Sequence, residues 1–178
     1  MLSSAFQGMV LVLISLALLL ELSLAIWVVV GLPFCVLGTI FVMGLPFVNL
    51  SINIVSLFGF ILVLGILVDD AIVTAESAYT QLEEENEGVD SIIRGVKRVA
   101  VPTTFGVLTT IFAFMPLVLA TEGIARFFSV MAPVIIVALL FSLLETKLIL
   151  PAHLRHIKIR RSHGEGADKE AAKGAMAV

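Results

Sequence analysis

Asp69 and Asp70 stand side by side in the run GILVDDAIV, residues 65–73, with Glu76 following. The surrounding stretch from Ile52 to Ala75 is otherwise apolar and long enough to cross a bilayer, which takes roughly 20 apolar residues. A carboxylate at membrane depth costs about 3 kcal/mol on insertion scales. Forming a span requires neither aspartate, so the pair marks a task. Two neighbouring carboxyls on an ion path bind and release protons as a coupled pair. A bland alternative, polar glue between helices, explains one acid better than two adjacent ones.

On a helical wheel Gly65, Asp69 and Glu76 fall at i, i+4 and i+11, within about 60° of one another. Asp70 points about 100° away, toward Thr74 and Ser77. Gly65 leaves room one turn before Asp69 for a long side chain from another helix. Protonation of such a pair would exchange an ion pair for a neutral acid. Lys147 falls near the end of its span, where a lysine can snorkel to the membrane edge. The expectation is therefore that the chain has no lysine at the depth of the aspartates and that the cation comes from elsewhere. An aspartyl protease would need aspartates facing each other from two helices, and no other span contains one. His153 and His156 lie at i, i+3 without a further ligand nearby, so no metal site is expected.

The positioning elements follow from composition. The chain has 178 residues, 60% of them hydrophobic, and a mean hydropathy of +1.13, far above soluble domains. The reading is an all-α, polytopic membrane helix bundle. Its net charge of -3 and eleven Lys and Arg form no basic stripe with interleaved aromatics, so no nucleic acid is expected. Cys35 is the single cysteine and excludes an internal disulfide. The N-terminus lacks the charged region of a cleavable signal peptide.

Residues 1–155 read as a transmembrane bundle with five spans, at about 5–20, 24–46, 52–79, 99–119 and 127–150. Residues 156–178 read as a basic, then low-complexity cytoplasmic tail. Gly31 and Gly38 share a face of the second span and permit close helix contact. Asn49 or Ser51 could cap the third span, and Asp90 the helix after Gly88. Residues 91–98 read as a short amphipathic helix. Thr103, Gly106 and Thr110 form one small polar stripe on the fourth span, expected to pack closely, with Thr103 and Thr110 as supporting polar residues beside Gly65 and Glu76.

These segments resemble the first-half transmembrane region of resistance-nodulation-division (RND) efflux permeases, the family of bacterial multidrug proton antiporters. The resemblance rests on AIWV (25–28), SINIVSLF (51–58), LGILVDDAIV (64–73), RGV (94–96), VPTTF (101–105), LTT (108–110) and the run from SLLE (142–145) to LPAHL (150–154). It covers nearly everything from Gly8 to Leu154 and implies helices two to six of a twelve-helix protein, a partial RND transmembrane domain. It further implies that Asp69 and Asp70 are the proton site and that the proton gradient replaces any cofactor. A partner lysine would come from the second-half bundle. The full-length protein would be a trimeric permease of the bacterial inner membrane, with a periplasmic adaptor and an outer-membrane channel. The large porter regions that bind drugs have no room in the 47–51 and 121–126 loops, and Glu21 stands where similar sequences often carry arginine. The chain thus reads as a fragment not competent alone, and not as an enzyme. Two other readings are a lipid-binding module like the sterol-sensing domains of the same superfamily and a nonfunctional remnant.

Basic residues set the orientation. Arg94, Lys97 and Arg98 lie in one loop region and Arg155, Lys158, Arg160, Arg161, Lys169 and Lys173 in the C-terminal segment, against Arg126 alone on the other side. The first two belong in the cytoplasm, with the N-terminus periplasmic. Cysteines replacing Glu85 and Glu122, in a Cys35→Ala background, test this. An impermeant thiol reagent added to intact cells is expected to label position 122 and spare position 85; the reverse pattern overturns the orientation.

Overall fold

The computed structural model describes residues 22–46, 48, 50–85 and 88–154. Four helices make up its architecture: α1 (Leu22–Met43), α2 (Ile54–Glu85), α3 (Val89–Val118) and α4 (Ala125–Leu154). All four are long and apolar enough to cross a membrane. The expected span at 5–20, Glu21, Asn49, His156 and the 156–178 tail lie outside the described residues.

α2 and α4 form the centre. Each packs against the other and against α1 and α3, which flank the pair. Large side chains such as Ile54, Ile61, Phe41, Phe105 and Phe112 remain exposed on the outside. In water that would be a liability; facing lipid tails it costs nothing, and the inside is then assembled by close packing instead. Small residues set that packing. An added Cβ on Gly38 would lie 2.6 Å from the Phe141 ring, and one on Gly59 would lie 2.9 Å from Met131. Gly31 and Gly38 thus both open α1 to α4, as their shared face predicts.

Helix ends differ from the expected ones in instructive ways. Asn53, not Asn49 or Ser51, starts α2. Its side-chain oxygen accepts from the N–H of Val55 at 2.9 Å and of Ser56 at 3.0 Å. The Ser56 hydroxyl oxygen in turn accepts the Asn53 N–H at 2.8 Å. This reciprocal arrangement satisfies donors that a helix start leaves open. Asp90 provides no side-chain cap; α3 begins after Gly88, whose φ of 66° is a left-handed conformation suited to glycine. The expected amphipathic helix 91–98 is continuous with the fourth span in α3, despite Pro102 inside it. The α2–α3 turn is tied by the Arg94–Glu85 ion pair and by a hydrogen bond from the Ser77 hydroxyl to the Gly95 carbonyl at 2.9 Å.

The stripe on α3 is a correction. Gly106 is exposed and nothing lies within 4 Å of a Cβ placed there, so this stretch is not a tight crossing. The close approach of α3 is at Gly95 instead. A Cβ there would collide with the Ser77 carbonyl and lie 2.6 Å from the Ala78 Cα. Backbone cannot swing aside as a side chain can. Gly95→Ala is therefore expected to lower resistance to unfolding in mixed detergent micelles by about 1–3 kcal/mol, while Gly106→Leu leaves it within about 0.5 kcal/mol.

Candidate functional site

Two apolar clusters divide the bundle along its length. One joins Val28, Ala71, Val96 and Leu150; the other joins Cys35, Leu67, Val107 and Leu139. Between them every helix changes character. α1 contributes Gly31, α2 Asp70, α3 Ala100 and Thr103, and α4 Ser142, Glu145, Thr146 and Lys147. The result is a polar layer between two dry ones.

Asp70 turns into this layer. The Ser142 side chain lies beside it, and Lys147 and Asp69 act on it electrostatically. Oδ2 is buried without a partner, as is the Thr74 hydroxyl one turn later. Asp69 is placed otherwise. It is exposed together with Gly65 and Glu76, the three residues that the wheel puts on one face, and a Cβ on Gly65 would meet nothing within 4 Å. The two aspartates thus serve different surfaces, one inside this bundle and one on its open side.

Lys147 is where sequence reasoning failed. Rather than snorkelling to the membrane edge, its ammonium group donates to the Thr103 hydroxyl at 2.6 Å and to the Ala100 carbonyl at 2.9 Å. From there it acts on Asp70 through space. The chain does supply a cation at the depth of its acids. Lys147 lies within a π turn at Glu145–Ile149, closed by the Leu150 N–H bonding to the Glu145 carbonyl five residues back. Pro151 follows, and proline can neither donate to a carbonyl four residues earlier nor accommodate it sterically. Widening the turn resolves both problems and rotates the side chains before it relative to a regular helix. A sequence signal existed in Pro151 placed four residues after Lys147.

Glu145 also escaped notice. It is only 3% exposed and sits on Gly31, where an added Cβ would lie 2.7 Å from its Cδ. His153 stacks on Trp27 with ring centroids 4.5 Å apart and an interplanar angle of 12°, tying the end of α4 to α1. Among the described residues no group of acids, histidines and cysteine is arranged to hold a metal ion. Thr103 holds Lys147, whereas the Thr110 hydroxyl donates to the Gly106 carbonyl of its own helix at 3.1 Å and has no part in the layer.

Comparison with known proteins decides the family. The model of the AcrB/AcrD/AcrF family matches residues 2–167. The chain belongs to the AcrB/AcrD/AcrF family. A relative is the multidrug resistance protein MdtC of Pantoea ananatis (strain AJ13355), 30% identical over 122 residues. That match takes in 68% of this chain and 12% of the relative, so the chain corresponds to a small part of such a protein. Family membership and four helices long and apolar enough to cross a membrane make it a multi-pass inner-membrane protein.

If Thr103 anchors Lys147, loss of its hydroxyl must cost stability. Thr103→Val is expected to destabilise the bundle by about 1.5–3 kcal/mol, as for a hydrogen bond to a charged group, and Thr103→Ser by much less. Detergent unfolding of the purified chain, read by circular dichroism, checks the difference.

Proposed function

We propose that this chain is the proton-translocating part of a proton/substrate antiporter, with Asp69 and Asp70 as the proton site. The observation that carries the reading is the setting of Asp70. One carboxylate oxygen is buried and unpaired while a lysine on another helix acts on the group from a distance. A proton arriving at Asp70 would cancel its attraction for Lys147. The ammonium group would keep its two bonds to α3, and α4 would be free to shift against α2. A ligand moves an equilibrium only by its different affinity for the two states, and here the proton would bind better to the state in which the pair is parted.

Asp69 supplies the second half of the argument. With Gly65 and Glu76 it faces outward from the bundle, where the open space above Gly65 admits a long side chain. The resemblance to RND permeases points to a lysine of the second-half transmembrane bundle as occupant. On this reading the chain is a fragment that needs that bundle, and the complete permease works as a trimer with a periplasmic adaptor and an outer-membrane channel. The gradient drives it without a cofactor. Its N-terminus is periplasmic and its C-terminus cytoplasmic.

Asp69→Asn and Asp70→Asn, each placed in a permease completed by the second half and reconstituted into vesicles, are expected to abolish substrate export driven by an imposed pH gradient. Folding, checked by circular dichroism, is expected to persist. Export retained in both variants overturns the assignment.

A further inference from the structure

We propose that Glu145 is a second proton-binding site, separate from the aspartate pair, and that its proton holds α1 against α4. Glu145 is enclosed by its neighbours, with 3% exposure, and its Oε1 is buried with no hydrogen-bond partner. Its carboxyl rests on Gly31 of α1, in the space that any larger side chain would fill. An ionised carboxylate in such a place lacks both water and a counter-ion, and an unpaired buried charge is among the most costly arrangements a protein can hold. A neutral carboxylic acid fits the same seat at far lower cost.

The charged and titratable neighbours leave this conclusion standing. On α1 the facing group is Cys35, which brings no positive charge. On α2 it is Asp70, which is engaged with Ser142 and Lys147. On α3 residues 99–118 contain no charged side chain, and Arg98 before them is exposed. On α4 itself Lys147 is turned to Ala100 and Thr103, and His153 is stacked on Trp27. Burial alone weighs on Glu145. Two residues apart on α4 and so about 200° around the helix, the two side chains face opposite ways, Lys147 toward α3 and Glu145 toward α1.

Loss of the Glu145 proton would place a bare charge against Gly31. The seam would have to open to admit water, and α1 would move away from α4. Cys35, four residues after Gly31 and 2% exposed, sits in that seam as a native reporter.

Infrared spectroscopy of the full chain in lipid vesicles, with glutamate side-chain carboxyls labelled with carbon-13, tests the proposal. A protonated-carboxyl band that carries the glutamate isotope shift is expected at neutral pH. Asp69→Asn with Asp70→Asn should leave it in place, as should Glu21→Gln with Glu76→Gln, and Glu145→Gln should remove it. The assignment by these other variants survives even if Glu145→Gln does not fold. Absence of an isotope-shifted protonated band, or its loss with Glu76 or Glu21, overturns the proposal. It leaves the aspartate reading untouched, since that is judged by export. As the pH is raised, the Cys35 reaction rate with a permeant thiol reagent is expected to climb faster than in Glu145→Gln. The Glu145 charge itself acts on Cys35 and opposes thiolate formation, so a climb faster than in Glu145→Gln reports the opening of the seam and not the field of the carboxylate. A ratio that stays flat overturns the coupling of the proton to the α1–α4 seam.

Discussion

An ionisable group inside an apolar bundle must have a partner, a proton or a path to water. That requirement governs this protein. Asp70, Glu145 and Lys147 occur within one polar layer, and each helix of the described bundle gives up part of its apolar surface to accommodate them. Lys147 meets the requirement through two hydrogen bonds to α3. Asp70 meets it in part, through Ser142 and the field of Lys147. Glu145 has only the small surface of Gly31 before it. The three groups therefore span the range from satisfied to unsatisfied, and both proposals rest on that gradation.

The spacing on α4 sets this gradation: at about 100° per residue, positions 145 and 147 fall on opposite sides of the helix, and a π turn lies over the same stretch. The proline at 151 removes a donor from the ladder, the turn widens over Glu145–Ile149, and one short segment addresses α1, α2 and α3 at once. Apolar clusters above and below clamp it: Leu139 on one side and Leu150 on the other are both fully buried. A local change in the hydrogen-bond ladder is thus held between two buried apolar clusters.

The open surface of α2 belongs to the same logic. Most of the outward face is aliphatic or aromatic and fits lipid. Gly65, Asp69 and Glu76 do not. Acids on a face otherwise made for hydrocarbon are costly where they meet lipid, and the proposed function gives that face its occupant.

Much of this was legible in the chain itself. Runs of some 20 apolar residues can only be spanning helices, because backbone polar groups in hydrocarbon must be satisfied within the segment. Periodicity put Gly65, Asp69 and Glu76 on one face and Asp70 on another, and the structure agrees because helical geometry is local. The family, too, was readable from the motifs around the aspartates. What the tertiary structure alone decided was which polar residues meet. Lys147 looked like a membrane-edge residue when judged by its distance from the span end, but a side chain goes where its hydrogen bonds are, and those acceptors lie on α3, 44 and 47 residues earlier in the chain. Gly106 looked like a contact and Gly95 did not, because the spacing of small residues names a face without naming what lies opposite. Glu145 meets Gly31 only when α4 folds back on α1. Such pairings depend on helix packing over long separations, and no pattern within one helix contains them.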